Sequence, residues 1–377
     1  MIYNLKKKIM FELSGKTVHL RTKCSTLKGN VLISYITLPF LTNSDILDGH
    51  TNRFECLEMT NIFLTRGYNV DVIDWTNKKF LPKKDYKYFI DIHDNLERIS
   101  PYLNNDCLKI LHITTSHWKF QNEAEMKRLD DLEKRRGIRL LPRRQLGHSL
   151  GIETADIATM LGNNVTKKTY GHVTKKIYQI PVSTTHTFRY PASKDFSFAK
   201  KNFIWLGGSG MVHKGLDLVL EAFAQMPEYH LSIFGNVAGE KDFAEFYKKE
   251  LLHTKNITLF GKIDPGGEVF ERITGESIAI INPSCSEGQS GAVITAMHAG
   301  LIPIISKESG VDCLDFGTIL PYSNVETIKT AIKETANSTN SVLMEKSKKS
   351  WQYVNSNHTR ESFSRTYNDF VDILEGK

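Results

Sequence analysis

Apolar and polar positions in the first half of the chain follow strand and helix patterns in turn. Residues 30–38 form a near-continuous apolar run that ends before Pro39, which predicts a buried strand. A helical stretch follows at about 52–66 and stops at Gly67, the residue type expected just past a helix C-terminus. Residues 68–74 predict a second strand. Strand, helix and strand in this order predict a βαβ unit and a parallel sheet.

The rest of the first half is less regular. Further strands are predicted at 86–92 and 108–115, and a charged helix at 121–136. Residues 163–200 are polar and contain two prolines, a composition that predicts loops, edge strands and a linker.

The second half repeats the alternation of strands and helices. Its predicted strands and helices, in chain order, are 202–207, 215–225, 231–235, 257–261, 277–282, 291–299 and 302–306. We therefore predict two doubly wound α/β domains, 1–195 and 196–357, whose ligands bind at the carboxyl ends of the strands. A last helix at about 360–375 has an apolar stripe typical of core packing, formed by Phe363, Tyr367, Phe370 and Leu374.

Composition narrows the class of protein. The 377 residues are 40% hydrophobic and 24% charged, which is ordinary for a folded globular protein. No apolar run reaches the roughly 18 residues of a membrane span, and the apolar stretch that ends at Glu12 is too short for a signal-peptide core. The five cysteines contain no CxxC pair, so neither a disulfide framework nor a zinc site is expected. We expect a cytoplasmic protein.

Charge is distributed unevenly along the chain. Residues 1–195 hold 31 Lys and Arg against 20 Asp and Glu, whereas the remainder holds 18 against 22. The clearest basic stretch comprises residues 134–136 with Arg139, Arg143 and Arg144. This stretch predicts either a solvated helix face followed by a polar loop or a contact with an anionic partner such as a membrane surface. It lacks interleaved aromatic residues, so nucleic acid is not an expected partner.

A glycine-rich segment lies between a predicted strand and a predicted helix. It runs from Gly207 to Gly215 and includes Lys214. Glycines allow close approach of the backbone to a ligand, helix N-termini favour phosphate, and lysine adds a positive charge. The glycine spacing departs from the dinucleotide-binding fingerprint, and Lys214 is not followed by the Ser or Thr of a Walker motif. A tight strand–helix turn without a ligand would look similar.

A second segment, residues 282–300, places one carboxylate in a polar loop before a helix of small residues. Glu287 can accept hydrogen bonds from neighbouring sugar hydroxyls, while free N–H groups near Gly291 face a diphosphate. The alternative is that Glu287 only complements the helix dipole.

Together these segments resemble the donor site of family 4 (group 1) glycosyltransferases, which have the GT-B fold: two Rossmann-like domains facing across a cleft. The resemblance is specific across about 200–310 and weaker before it. The matching motifs are Lys214-Gly215, Pro283-Ser284, Glu287-Gly288, Ala296-Met297 and, in Gly300–Pro303, a Gly-x-x-Pro turn. The resemblance implies retention of anomeric configuration, no metal and no cofactor, and a final helix (about 358–377) that packs back on the first domain.

The resemblance also assigns roles to individual residues. Glu287 would bind hydroxyls of the transferred sugar, and Lys214 would neutralise the diphosphate as its charge grows. Residues around the base and the diphosphate would complete the donor site: Gly208, Ser209, Gly210, Gly261, Lys262, Ser290, Gly291, Ala292, Val293 and Thr295.

Two positions depart from the family pattern. Thr295 stands where the family has a second Glu that binds ribose, and Ser209 stands where it usually has an Arg five residues before the Lys. One of two cations near the diphosphate is therefore missing. Either nearby groups compensate for it or donor binding has decayed.

In the first half, Gly49 and His50 lie in a loop that resembles the family's acceptor-side loop. His50 can equally belong to a helix start that is capped by a neighbouring residue. His117 follows a predicted strand, where the family often has a His near the sugar; a loop histidine without a role is the alternative. His93 has no further ligands nearby, so no metal site is expected there.

The leading hypothesis is a retaining glycosyltransferase that moves a hexose from a UDP- or GDP-sugar to a glycan or lipid-linked acceptor in cell-surface glycan synthesis. A non-catalytic relative that binds glycan or supports a partner enzyme is the alternative that Ser209 and Thr295 motivate. A nucleotide-sugar epimerase of the same fold is a third.

Overall fold

The structure is a computed structural model that describes Gly15, residues 17–42 and residues 48–376. The apolar stretch that ends at Glu12 lies outside these residues. The strands are β1 Thr17–Leu20, β2 Gly29–Tyr35, β3 Tyr68–Asp74, β4 Tyr88–Asp91, β5 Leu108–Ile113, β6 Ile157–Leu161, β7 Ile177–Ile180, β8 Asn202–Leu206, β9 His230–Phe234, β10 Ile257–Gly261, β11 Ala279–Asn282, β12 Ile302–Ser306 and β13 Thr318–Leu320.

The helices cover both faces of the two sheets. They are α1 Leu38–Leu41, α2 Thr51–Thr65, α3 Asn95–Ile99, α4 Trp118–Arg136, α5 Gly151–Thr154, α6 Asn164–Thr169, α7 Phe196–Ala199, α8 Leu216–Ala224, α9 Lys241–Phe246, α10 Lys248–His253, α11 Glu268–Gly275, α12 Gly291–His298, α13 Val325–Asn337, α14 Asn340–Asn357 and α15 Arg360–Leu374.

The strands form two sheets, one in each half of the chain. The first has the order β1-β3-β2-β4-β5-β6-β7, with β1 antiparallel to β3 and the other pairs parallel. The second has the order β10-β9-β8-β11-β12-β13 and is parallel throughout. Since β8 and β11 are neighbours, the segments that follow them meet at the carboxyl edge of the second sheet.

Continuous burial explains why the central strands read as apolar runs. In β2, Val31, Leu32 and Ile33 are fully buried although their side chains point alternately to opposite faces. A parallel sheet needs such a sequence because helices cover both of its faces.

The final helix, α15, crosses back to the first sheet. Its predicted stripe is buried at Phe363, Tyr367 and Phe370. Arg66, at the end of α2, fixes the C-terminal end of α15 by an ion pair with Asp372 at 2.5 Å.

Helix α4 joins the two halves. Leu129 and Leu132, three residues apart on one face, pack in the same apolar cluster as Leu216 of α8 and Phe243 of α9. A charged rim surrounds this contact, so the helix is an interface element and its basic end is not a free solvated face.

The basic stretch that begins in α4 has acidic partners in the second half of the chain. The ion pairs between the two halves are Arg135 with Asp217 and Glu221, Arg136 with Glu250, and Arg143 with Asp242. The uneven charge of the two halves is thus partly compensated within the molecule.

Glu55 of α2 is a fully buried carboxyl. It accepts hydrogen bonds from the backbone N–H and the hydroxyl of Ser183, both at 2.9 Å. Burial raises its pKa to about 7, although the bonds from Ser183 and Tyr35 act in the opposite direction.

We expect this carboxyl to make stability fall as pH rises. Between an unfolded pKa near 4.5 and the folded value near 7, the folded state alone keeps the proton, so each pH unit favours unfolding by about 1.4 kcal/mol. The loss amounts to about 3 kcal/mol by pH 7 and then levels off. Urea unfolding of the wild type and of Glu55→Gln between pH 4 and 8 measures it. Parallel pH profiles for the two proteins would contradict the assignment.

Of the helices that the structure describes, none combines the length and the apolar character that crossing a bilayer requires.

Candidate active site

The glycine-rich segment after β8 forms a tight turn into α8. Gly210 and Gly215 have φ of +82° and +72°, a region that other residues rarely adopt. A Cβ on Gly215 would lie 2.5 Å from Cγ of Pro283 and 2.8 Å from its carbonyl oxygen. The glycines thus bring this turn against the loop that follows β11.

Lys214 and Glu287 meet where these two segments touch. Their side chains form an ion pair, and the Ser284 hydroxyl donates to Oε1 of Glu287 at 3.2 Å. Burial, the largest single influence, would raise the pKa of Glu287, but Lys214, His213 and Arg144 together outweigh it and the pKa is lowered. Glu287 is therefore an ionised carboxylate held in a nearly dry position.

The first domain supplies the opposite wall of this site. The Ser116 hydroxyl donates to the backbone carbonyl of Glu287 at 2.6 Å, and the Thr166 hydroxyl donates to that of Gly288 at 2.5 Å. Only 11% of the Glu287 side chain and 12% of the Lys214 side chain are exposed. The two domains are thus closed over the pair.

Gly288 is required by this closure. A Cβ at this position would lie 2.9 Å from the carbonyl oxygen of Leu161 and closer still to that of Thr114. We expect Gly288→Ala to destabilise the protein by about 1–3 kcal/mol, because neither backbone oxygen can move aside cheaply. Thermal unfolding measures the loss, with Gly275→Ala as the control since a Cβ there meets nothing within 4 Å. Equal losses for the two variants would contradict the close fit.

The predicted acceptor-side loop faces the same site. His50 is the N-cap residue of α2, and its ring accepts a hydrogen bond from the Asn52 N–H at 3.2 Å. His50 keeps an exposed surface, but the atoms crowded around its ring partly desolvate it, and this desolvation and then the charge of Arg53 lower its pKa, with Arg144 and Lys214 adding to the effect. His50 is therefore neutral at pH 7 and lies within electrostatic reach of Lys214. Gly49 precedes it, where a Cβ would collide with the Arg53 guanidinium.

His117 lies in a different cluster. The His117 ring contacts those of Tyr170 and His172, with centroids 5.3 and 4.7 Å away, and the backbone N–H of His117 donates to the Thr169 hydroxyl. Burial and the neighbouring His172 lower its pKa. The preceding residue, Ser116, is the one that contacts the Glu287 loop.

A group with metal-ligand chemistry surrounds this histidine. Donor atoms of His117, Glu153 and His172 lie within 4.8 Å of one another. His172 already shares a hydrogen bond with Glu153 at 3.1 Å, and Nε2 of His117 is buried without a hydrogen-bond partner. Two imidazoles and a carboxylate are ligands that Zn²⁺ takes, so these residues are where the described part of the chain could hold such an ion.

The backbone donors of the glycine-rich turn are partly occupied. The N–H groups of Gly210 and Met211 donate to the Glu240 carboxylate, at 2.5 and 3.1 Å. Gly208 and Ser209 lie exposed at the rim of the turn. A ligand could therefore use the N–H of Gly210, one of the predicted donor-site residues, only if Glu240 moved.

The start of α12 keeps its polar groups available. Ser290 is the N-cap residue, and its buried hydroxyl has no hydrogen-bond partner in the described structure. Residues 291–293 form the first turn, whose N–H groups point out of the helix end. Thr295 is 6% exposed, so it has little room for a ribose in this closed form.

The predicted base-binding residues lie at the end of β10. Gly261 has φ of +75°, and a Cβ there would meet nothing within 4 Å, so the space above it is open. Lys262 is exposed beside it.

Three residues near this site were not predicted to act there. Glu125 and Glu240 are buried carboxylates, and Arg144 is a partly buried guanidinium. In the sequence, only the basic run around Arg144 pointed to any of these residues, and it did not indicate which part of the molecule its side chains face.

Comparison with known proteins defines the class. Residues 200–338 match the family model of glycosyl transferases group 1. No curated protein sequence matches the chain. Solved structures match at low identity, so they inform on the fold alone.

Three of these solved structures are compared with this chain by TM-score, sequence identity and coverage. Sucrose-phosphate synthase from Thermosynechococcus elongatus has TM-score 0.62 at 13% identity, covering 92% of this chain and 99% of that one. WaaG, a glycosyltransferase involved in lipopolysaccharide biosynthesis, has TM-score 0.54 at 12% identity, covering 92% and 100%. A mutant of S. aureus TarM in complex with Fondaparinux, alpha-GlcNAc-glycerol and UDP has TM-score 0.52 at 14% identity, covering 75% and 54%. The chain thus spans about half the length of TarM.

The chain has the GT-B fold, as predicted, with two Rossmann-like parallel-sheet domains. Within that class, residues 200–338 match the model of group 1 glycosyl transferases, which confirms, for this part of the chain, the recognition made from the two segments and the assignment to the transferases.

Proposed function

We propose that the protein is a retaining glycosyltransferase that moves a hexose from a UDP- or GDP-sugar to a glycan or lipid-linked acceptor. The observation that carries the proposal is the Lys214–Glu287 pair at the junction of both domains. An ionised carboxylate and an ammonium group, almost withdrawn from water, are the groups that sugar hydroxyls and a diphosphate need.

In this proposal the two side chains divide the donor between them. Lys214 neutralises the diphosphate leaving group, and the first turn of α12 adds backbone N–H groups and the positive end of the helix dipole. Glu287 accepts hydrogen bonds from the hexose hydroxyls. The charge on the leaving group is met by side chains, so neither a metal nor a cofactor has a role.

The acceptor would enter from the first domain, along the loop of Gly49 and His50. A role in cell-surface glycan synthesis is supported by the likeness to WaaG, which is described as acting in lipopolysaccharide biosynthesis. Peripheral contact with an anionic membrane, on the cytoplasmic face, stays a prediction. It has lost support from Arg135, Arg136 and Arg143, which pair with acidic residues of this chain. Sedimentation with anionic liposomes at low salt tests it.

One observation favours the non-catalytic alternative. The Lys214–Glu287 pair is satisfied by itself and nearly closed off, which suits a protein whose donor site has fallen out of use. Ser209 and Thr295 point the same way.

Thermal unfolding with a panel of nucleotides and nucleotide-sugars distinguishes the transferase proposal from the non-catalytic alternative. A ligand at 100 times its Kd stabilises the folded state by about 2.7 kcal/mol. A nucleotide-sugar that stabilises more than its bare nucleotide identifies the donor, and release of nucleoside diphosphate with an acceptor present then establishes transfer.

The opposite results are equally informative. If no nucleotide-sugar stabilises the protein at millimolar concentration, the transferase proposal is wrong and the glycan-binding alternative takes its place. A donor sugar that changes configuration without an acceptor would identify an epimerase.

A further inference from the structure

The glycine-rich turn has few free groups with which to bind an anion. The ammonium group of Lys214 is engaged by Glu287, and the N–H groups of Gly210 and Met211 are engaged by Glu240. A donor diphosphate carries about two negative charges, so this turn as it stands in the structure needs a further cation.

Arg144 lies against this turn from the other domain. A Cβ on Gly210 would come within 2.6 Å of Cγ and 3.1 Å of Cδ of Arg144, so the arginine stem occupies the space that the glycine leaves free. The charge of Arg144 acts on both Glu287 and His50, which places its guanidinium within reach of the candidate active site.

The backbone of Arg144 is held firmly by helix α4. Its N–H donates to both carboxylate oxygens of Glu125, at 2.9 and 3.1 Å. Its carbonyl accepts a hydrogen bond from the Gln121 side chain at 2.5 Å. Two residues further on, Leu146 is fixed through its N–H and its carbonyl by the Asn122 amide. The loop is thus preorganised, which lowers the entropic cost of using its side chain.

The side chain itself lacks an acidic partner among the described residues. Arg143, the preceding residue, pairs with Asp242, whereas no ion pair includes Arg144, and its Nε is buried without a hydrogen-bond partner. A guanidinium held in place with unused donors is suited to bidentate binding of a phosphate.

We infer that Arg144 is the second cation of the diphosphate site and that the first domain supplies it across the cleft. The inference rests on the proposed function. It accounts for Ser209, where the second domain lacks a cation of its own. It also makes tight donor binding dependent on contact between the domains, because Lys214 and Arg144 belong to different ones.

Isothermal titration with UDP and, separately, with inorganic pyrophosphate tests the inference. We expect Arg144→Gln to weaken both about 10- to 150-fold, the factor that corresponds to one charge-assisted hydrogen bond. Arg144→Lys, which keeps the charge but loses the planar fork, should have an affinity for both probes between those of Arg144→Gln and the wild type. Arg139→Gln is the matched control, since this nearby arginine pairs with Asp130 and Glu133 on the surface.

A second variant relocates the charge. Ser209 is exposed in the same turn, so Ser209→Arg has room for its side chain. Added to Arg144→Gln, it is expected to raise the affinity for UDP at least tenfold. A purely structural role of Arg144 would not produce this rescue.

Each result separates the inference from the proposed function. Equal affinity of the wild type and Arg144→Gln for UDP and pyrophosphate overturns the inference and leaves the function standing. Arg144-dependent binding of pyrophosphate without binding of any nucleotide supports the inference and overturns the function. A wild type that binds neither probe overturns both.

Discussion

Replacement of Glu287 by glutamine is expected to lower kcat/KM for sugar transfer about 10- to 150-fold, the cost of one charge-assisted hydrogen bond. Glutamine keeps the shape and one acceptor oxygen but loses the negative charge. The carboxylate accepts from Ser284, pairs with Lys214 and has a lowered pKa, so charge is its main property at pH 7.

The loss should appear in kcat more than in affinity for the bare nucleotide. In the proposed mechanism Glu287 contacts the hexose, whereas UDP binds through Lys214 and the start of α12. Steady-state kinetics together with titration of UDP distinguish the two effects. Glu276→Gln is the matched control, because this glutamate forms an exposed i,i+4 pair with Arg272 in the same domain.

If Glu287→Gln keeps at least half of wild-type turnover, Glu287 does not act in the donor site. A large drop in UDP affinity with unchanged kcat would instead mean that Glu287 acts by orienting Lys214.

The meeting of Lys214 and Glu287 follows from the topology of the second sheet. Lys214 and Glu287 are 73 residues apart in the chain. The pattern of strand, glycine-rich turn and helix placed each after a strand, and parallel neighbouring strands end at the same edge. β8 and β11 are such neighbours. The two residues therefore meet, as the comparison of motifs implied.

The first domain was harder to predict, because its segments depend on packing with the rest of the molecule. The polar stretch 163–200 contains the edge strand β7, as its composition indicated, together with the short helices α6 and α7. Strand β6, at Ile157–Leu161, was missed although its sequence is apolar, since periodicity alone does not distinguish a five-residue apolar run from a buried helix segment.

The sequence did not indicate which residues pair with the basic end of α4. The basic end of α4 fits a solvated surface or an anionic partner equally well in terms of composition. The acidic residues that it contacts lie roughly 80 to 115 positions later in the chain. Leu129 and Leu132 were a weak sign that one face of this helix is buried.

Replacement of Arg135 by alanine is expected to destabilise the protein by about 3 kcal/mol, near the lower end of the cost of breaking a buried ion pair. The guanidinium donates to Asp217 and Glu221, each at 2.7 Å, and these carboxylates are 0% and 7% exposed. Burial raises the pKa of Asp217 although Arg128 and Arg135 act against it. Without Arg135, these two carboxylates, both on α8, stay buried with one partner removed. Because Arg135 is itself 26% exposed, water recovers part of the loss.

A double-mutant cycle isolates this interaction. Asp217→Asn in the Arg135→Ala background removes the stranded charge and is expected to restore about half of the lost stability, as measured by urea unfolding at pH 7. Arg139→Ala, whose partners Asp130 and Glu133 are exposed, should cost less than about 1 kcal/mol. If Arg135→Ala costs no more than Arg139→Ala, the buried pairs at the domain junction do not hold the domains together. Closure of the site must then depend on the other contacts between the domains, namely the apolar contact of α4 and the hydrogen bonds from Ser116 and Thr166 to the Glu287 loop.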